Sequence, residues 1–251
     1  MEKRIELELA PGEKTAVVLA GPERPTERLV ILCHGFMSSK ESSTNRALTE
    51  RLLPNDIATC RFDFFGHNES AGSFQELTLT RCLNQVEGIL QWSAQSGYGK
   101  IGLVGSSFGG LVAIITAARH PVLRAAALKC PVSDYPAIWQ ARLGEGGMKQ
   151  WRESGILSFA TMDGKARLEY PFYEDLLKYD TYREAGLIRS PTLIVHGDAD
   201  EDVPVDQSRH LFDTLQSPKE MEIIPGAGHE FSNPDDFERM AERIAAWLMK
   251  N

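Results

Sequence analysis

The chain has 251 residues, 42% of them hydrophobic, a formal net charge of −8 and four cysteines. That length and apolar share suffice for one sizeable core, a single α/β domain carrying an insertion. The acidic balance, interrupted by no basic cluster, argues against nucleic acid or an anionic membrane surface as partner, and no run reaches the roughly 18 apolar residues of a membrane span.

Residues 4–9 and 14–20 alternate polar and apolar side chains around Pro11-Gly12, which predicts an antiparallel hairpin at a sheet edge. This N-terminus lacks the apolar core of a signal peptide. Cys33, Cys60, Cys82 and Cys130 show no metal-ligand spacing, and both features suit buried free thiols in a cytoplasmic protein. The run Leu29-Val30-Ile31-Leu32-Cys33 is apolar throughout, as a strand buried on both faces must be. A helix over residues 43–53 and a strand over 57–63 follow. Residues 77–94 then place Leu79, Leu83, Val86, Ile89 and Leu90 at helical spacing. A strand at 101–104 leads into an apolar helix that Pro121 stops. Further strands are expected at 123–128, 191–195 and 220–224, with helices at 207–215 and 234–249. This alternation predicts a mostly parallel central sheet with helices on both faces.

Between residues 131 and 188 the alternation fails. The segment is rich in aromatic residues and too long for a simple connection, and it reads as an inserted lid beside the strand ends. Tyr135, Trp139 and Trp151, with Asp134 among them, are the candidate substrate-binding residues. The acids Glu145, Glu153, Asp163, Glu169, Glu174 and Asp175 are dispersed among basic residues rather than gathered to hold a free amino terminus. The plainer alternative is a packing subdomain that touches no substrate.

The strand ending at Val104 runs into Gly105-Ser106-Ser107-Phe108-Gly109-Gly110 and then directly into the apolar helix. Gly105-x-Ser107-x-Gly109 is the spacing of a nucleophile elbow, in which a serine at the apex of a strained strand-to-helix turn is lifted above the sheet edge. The N–H of Phe108 falls at the N-terminus of the new helix, where unpaired donors can stabilise an oxyanion. Such a serine needs a base, and the base needs an orienting acid. His34 and His196 end strands, His67 lies in a turn, His120 precedes Pro121 and His210 sits in an amphipathic helix. His229 instead follows a strand and the loop Pro225-Gly226-Ala227-Gly228. The acid is expected in the preceding strand's loop, where Asp198, Asp200 and Asp202 alternate. A calcium site there would want a downstream glutamate that this loop lacks. Asp198 reads as capping the turn. The order Ser107, Asp200, His229 is the one an elbow predicts.

Further motifs stand in order along the chain: His34-Gly35-Phe36, Gly66-His67-x-x-Ser70, Asp200-x-x-Val203-Pro204 and Gly228-His229. With the elbow, they resemble the α/β-hydrolase superfamily over nearly the whole chain. The short N-terminal hairpin, Arg61-Phe62-Asp63-Phe64 and the size of the insertion are most similar to bacterial cinnamoyl/feruloyl esterases. The resemblance implies an α/β-hydrolase fold, an oxyanion hole from the N–H groups of Phe36 and Phe108, and Asp200 and His229 as acid and base. Ser106 stands where the family often has His, and Phe108 where it has Gln or Met. A backbone donor survives both changes, but the wall beside the ester differs. Asn68 replaces a glycine and tolerates the left-handed turn. The expected activity is serine carboxylesterase, on short-chain or aryl esters including hydroxycinnamoyl esters, through an acyl-enzyme. The same fold serves aminopeptidases, thioesterases, monoacylglycerol lipases and non-catalytic binding proteins. No cofactor or metal is implied; the expected partner is a small-molecule ester, and a homodimer is compatible with the sequence.

Overall fold

The computed structural model describes residues 1–161 and 164–251, so Asp163, one of the acids named above, lies outside the described residues. The chain runs through β1 (Glu2–Ala10), β2 (Glu13–Ala20), β3 (Arg28–Cys33), α1 (Ser43–Leu52), β4 (Ala58–Phe62), α2 (Leu79–Gln95), β5 (Lys100–Ser106), α3 (Phe108–Arg119) and β6 (Ala125–Lys129). After an insertion it resumes with β9 (Thr192–Gly197), α7 (Val205–Thr214), β10 (Lys219–Ile224) and α8 (Pro234–Lys250). The insertion itself holds α4 (Tyr135–Ser154), the hairpin β7 (Ile156–Thr161) with β8 (Gly164–Glu169), α5 (Pro171–Leu176) and α6 (Thr181–Ala185).

Eight strands form one sheet in the order β1-β2-β4-β3-β5-β6-β9-β10. The hairpin β1-β2 pairs antiparallel to β4 at one edge, and every pairing from β4 to β10 is parallel. The continuous apolar run of β3 has a direct cause. Leu29, Ile31 and Cys33 pack into the core beneath α2 and α3, while Val30 and Leu32 pack into the opposite core beneath α1 and α8. A strand covered on both sides has no solvated face on which to place a polar residue. The helices start where side chains cap them: Ser42 accepts from the Asn45 N–H, Thr78 from the Arg81 N–H and Asn233 from the Asp235 N–H.

The sheet order also fixes where a site can form. From β3 the chain winds first toward β4 and then, with β5, to the other side of β3. The loops leaving the carboxyl ends of β3 and β5 therefore diverge and leave a crevice, the usual ligand position in open α/β sheets. Cys33 is in register with Gly105, so His34-Gly35-Phe36 and the elbow face one another across it.

Candidate active site

The elbow is built by close approach. A Cβ on Gly105 would meet the Gly109 carbonyl oxygen at 2.3 Å, and one on Gly109 would meet the carbonyl oxygens of Cys33 and His34 at 2.3 and 2.4 Å. Only glycine lets β5, the first turn of α3 and the end of β3 converge. Ser107, at the apex, has φ 54° and ψ −117°, a conformation that costs a side-chain-bearing residue on the order of 1–3 kcal/mol and is held by its surroundings. Its N–H donates to the Lys129 carbonyl at 2.9 Å, and its carbonyl accepts from Gly110 at 2.8 Å and Val132 at 3.1 Å. The N–H groups of Phe36 and Phe108 donate no hydrogen bond among the described residues. Both are free donors beside the serine, whose Cβ lies 3.5 Å from where a Cβ on Gly35 would sit.

The loop carrying Phe36 is tied to the turn after β4 at several points. His67 Nε2 accepts the Met37 N–H at 3.2 Å, Asn68 Nδ2 donates to the Ser38 carbonyl at 2.9 Å and the Lys40 N–H donates to Asp63 Oδ1 at 2.8 Å. Beneath them the Lys40 ammonium lies 2.5 Å from Asp63 and 2.6 Å from Glu69. Burial opposes the Lys40 charge, but the two carboxylates outweigh it and hold its pKa above the ordinary value. His34 donates from Nδ1 to the Gly35 carbonyl at 2.7 Å and accepts the Phe64 N–H on Nε2 at 3.0 Å. Burial, reinforced by neighbouring His67, pushes His34 down to about 3, and burial also lowers His67.

These two shifts set a pH dependence of stability. Both imidazoles have an ordinary pKa near 6.5 and a lower one in the fold, so the unfolded chain takes up protons first as the pH falls. Their contribution is complete above about 6.5 and is lost progressively as the pH drops toward their folded values. The melting temperature is expected to fall between about pH 7 and pH 5, and His34→Asn to flatten that slope. A melting temperature independent of pH over that window would contradict neutral, buried imidazoles.

At the other end of the crevice His229 Nδ1 lies 2.7 Å from Asp200 Oδ2. Asp200 Oδ1 accepts the N–H groups of Asp202 at 2.9 Å and Val203 at 2.8 Å. Burial works against the Asp200 charge, but donors from His196, His229 and Val203 outweigh it and hold the carboxyl well below the usual carboxylate range. The close packing that brings the two loops together again depends on a glycine, since a Cβ on Gly197 would meet the Ala227 carbonyl oxygen at 2.1 Å. Asp198 accepts the Gly226 N–H at 2.6 Å and braces these loops, and exposed Asp202 pairs with Arg142 at 2.7 Å. The alternating aspartates thus face three different partners. Cys130, Asp200 and His229 are the one group of potential metal ligands gathered within 4.8 Å among the described residues. Burial pushes the Cys130 thiol up, and the Asp200 oxygens already accept several donors, a poor donor set for a cation.

The insertion covers the crevice with aromatic rings. Phe36 is surrounded by Tyr135, Trp139, Phe159 and Phe172 from the insertion and by Phe74 and Phe108 from the sheet side, at centroid distances of 5.1–6.4 Å. Tyr135 and Trp139 stand against Phe36, and Tyr135 also against Phe108 of the elbow. The indole N–H of Trp139 is buried there without a partner among the described residues. Trp151 sits one ring further back: it packs on Trp139, Tyr170 and Tyr173 and donates to the Leu168 carbonyl at 3.1 Å. Asp134 caps α4, accepting the Ala137 N–H at 3.0 Å, so that oxygen serves the helix. A cleft of about 430 Å³ opens beside the Phe36 loop, lined by Met37, His67 and Phe74 and rimmed by Lys165 and Arg167. Among the described residues lining it none is acidic. Phe159 pairs with Ala166 on the face of the hairpin toward Phe36, which leaves Lys165 and Arg167 on the outer face.

Residues 73–251 match the prolyl oligopeptidase family, a stretch that includes Ser107, Asp200 and His229 but not Phe36. The chain belongs to that family. The fold is that of solved α/β hydrolases: Est1E from Butyrivibrio proteoclasticus with ferulic acid bound superposes with a TM-score of 0.86 at 24% identity over 98% of both chains. Mouse α/β hydrolase domain-containing protein 10 superposes with a TM-score of 0.84 at 21% identity over 99% of both. By sequence the chain is 25% identical to the 2-hydroxy-6-oxo-6-(2'-aminophenyl)hexa-2,4-dienoic acid hydrolase of Metapseudomonas resinovorans, over 91% of this chain and 86% of that one. It is 27% identical to the mouse mitochondrial palmitoyl-protein thioesterase ABHD10, of which the aligned region spans 64%. This member of the prolyl oligopeptidase family is a hydrolase of the α/β-hydrolase type, and no helix among its described residues is long and apolar enough to cross a membrane.

Two contacts of the site escape a reading of the sequence. His67 reads as a turn residue, yet it holds the Phe36 loop, and His196 reads as a strand end, yet it touches Asp200. For His196 the available signal was an imidazole inside an otherwise apolar buried strand, where a polar side chain must find partners.

Proposed function

We propose that this hydrolase is a serine carboxylesterase in which Ser107, His229 and Asp200 form the catalytic triad. The observation that carries the reading is the 2.7 Å bond between His229 Nδ1 and Asp200 Oδ2, made by loops that leave the adjacent strands β9 and β10, with a strained serine on the elbow after β5. Nδ1 carries the proton toward the carboxylate, which leaves Nε2 unprotonated as the base. Ser107 attacks the acyl carbonyl while His229 accepts its proton, and the N–H groups of Phe36 and Phe108 hold the oxyanion. The proton then passes to the departing alcohol, and water releases the acyl group by the same route.

The aromatic rings around Phe36 suit a short acyl or aryl ester, including hydroxycinnamoyl esters, with ring contacts contributing on the order of 1–3 kcal/mol. In this reading the insertion is the lid and Tyr135 and Trp139 are its contact residues. The family match gives peptide-bond hydrolysis as a second reading. The acids of the insertion are dispersed among basic residues rather than gathered to hold a free amino terminus, which speaks against that reading. Four buried, unpaired cysteines support a cytoplasmic location. The test is a panel of p-nitrophenyl esters, methyl hydroxycinnamates, acyl-CoA and aminoacyl-anilides. Esters should turn over well above matched anilides, and Trp139→Ala should raise KM for aryl esters more than for acetate esters. Faster anilide hydrolysis would replace this reading with the peptidase.

The Phe36 donor is only as well placed as its loop. His67→Ala is expected to lower kcat by roughly 10- to 100-fold with little change in KM, since loosening one oxyanion donor costs less than the 10²–10³-fold of deleting it. Gln can accept the Met37 N–H, so His67→Gln should recover part of the loss in steady-state hydrolysis of p-nitrophenyl acetate.

A further inference from the structure

We infer that His196 is a positioning residue for the reaction, a second imidazole that holds Asp200 in place for His229; this rests on the triad assignment above. His196 lies near the end of β9 and is fully buried. Its Nε2 is 3.1 Å from Asp200 Oδ2, the oxygen bound by His229, and 3.0 Å from the Val203 carbonyl oxygen. Both atoms facing Nε2 are acceptors, so Nε2 carries a proton; it donates to the Val203 carbonyl and lies within ion-pair distance of Asp200 Oδ2. Nδ1, 2.6 Å from Ser208 Oγ on α7, is left to accept the serine hydroxyl. A chain of contacts thus runs from Ser208 through His196 and Asp200 to His229.

The surroundings leave this role to His196. Asp200 Oδ1 is taken by two backbone N–H groups, so the two imidazoles are the side-chain nitrogens on the carboxylate. Just past β6 the Cys130 thiol, kept protonated by burial and by Asp200, adds only a weak S–H donor, and buried Lys129 points its ammonium at the Phe231 ring, 5.3 Å away. On α7, Asp206 and Arg209 pair with each other at the surface. On β10, Glu222 is engaged by Arg239 and Arg243 of α8. Without His196, Oδ2 keeps His229 alone and the loop at 198–203 loses its tie to β9 and α7. Asp200 is then freer to turn, and its charge is shared with one imidazole instead of two.

Removing the outer partner of a metal-ligating side chain typically costs 10- to 100-fold, and a loss of that order is expected for the outer partner of Asp200. His196→Phe is therefore expected to lower kcat for p-nitrophenyl acetate by about that factor, leave KM nearly unchanged and move the acid limb of kcat/KM to higher pH. His196→Gln, whose amide can reach Oδ2, should recover part of kcat and return the limb toward wild type. If His196→Phe does not fold, as judged by circular dichroism, Ser208→Ala keeps the ring and should displace the limb in the same direction with a smaller loss. The pH dependence of fluorophosphonate labelling at Ser107 gives a second readout that needs no turnover. A folded His196→Phe with wild-type kcat and acid limb overturns the inference, as does a kcat loss with an unmoved limb and no recovery in His196→Gln. Asp200→Asn, run alongside, separates the two readings: full activity in that variant overturns the triad itself, whereas an inactive Asp200→Asn beside wild-type His196 variants overturns only the role of His196.

Discussion

Ser107→Ala should abolish labelling by a fluorophosphonate and lower kcat by at least about 10³-fold, while Ser106→Ala keeps both. The two serines are neighbours in sequence and opposites in environment. Ser106 ends β5, is buried and leaves its hydroxyl without a partner among the described residues. Ser107 sits at the strained apex, less buried, with the free N–H of Phe108 beside it. Removing the hydroxyl leaves the oxyanion donors and the aromatic cage in place, so a residual rate above that of water is expected. The protein should stay folded, because the strain at position 107 belongs to the backbone and alanine is no worse there than serine. Active-site labelling followed by peptide mapping decides the matter. Labelling that survives Ser107→Ala and disappears in Ser106→Ala would overturn the assignment.

Asp200→Asn is expected to cost up to about 10⁴-fold in kcat, the size of the loss when an amide lets the wrong imidazole tautomer form. The carboxylate accepts from His229 at 2.7 Å and fixes the proton on Nδ1; an amide nitrogen in that position would push it to Nε2 and disable the base. Asp198→Asn and Asp202→Asn should each cost less than about tenfold. Asp198 accepts one backbone N–H, a bond an amide oxygen can also take, and Asp202 makes a solvent-exposed pair with Arg142 of the kind worth about 0–1 kcal/mol. Comparable losses in all three variants, with melting temperatures lowered together, would mean that the loop collapses rather than that one carboxylate is special.

Much of the fold was legible in the sequence because it rests on local rules. The continuous apolar run at Leu29 to Cys33, the glycines flanking Ser107 and the helical spacing from Leu79 to Leu90 each carry their reason within a few residues, and the strand and helix boundaries follow within a residue or three. The order of motifs placed Ser107, Asp200 and His229 in the loops that follow three strands of the sheet. The insertion was different. The hairpin Ile156–Thr161 with Gly164–Glu169 was not read from the sequence: its strands are short, one face is solvated, and the other buries Leu157, Phe159 and Leu168 only against residues that the fold brings from elsewhere, Phe36 among them. The sequence likewise grouped Trp151 and Asp134 with the pocket, whereas burial put Trp151 behind Trp139 and the start of α4 claimed a carboxylate oxygen of Asp134 as its cap. His67 and His196 belong to the same class. A histidine's value as a neighbour depends on which nitrogen meets which atom, and the partners here lie 30 residues away at Met37 and across a loop at Asp200. Spacing along a chain fixes what can form a strand, a turn or a cap; only the packed sheet decides which buried polar atoms meet, because each must be satisfied by whatever the fold brings within about 3 Å.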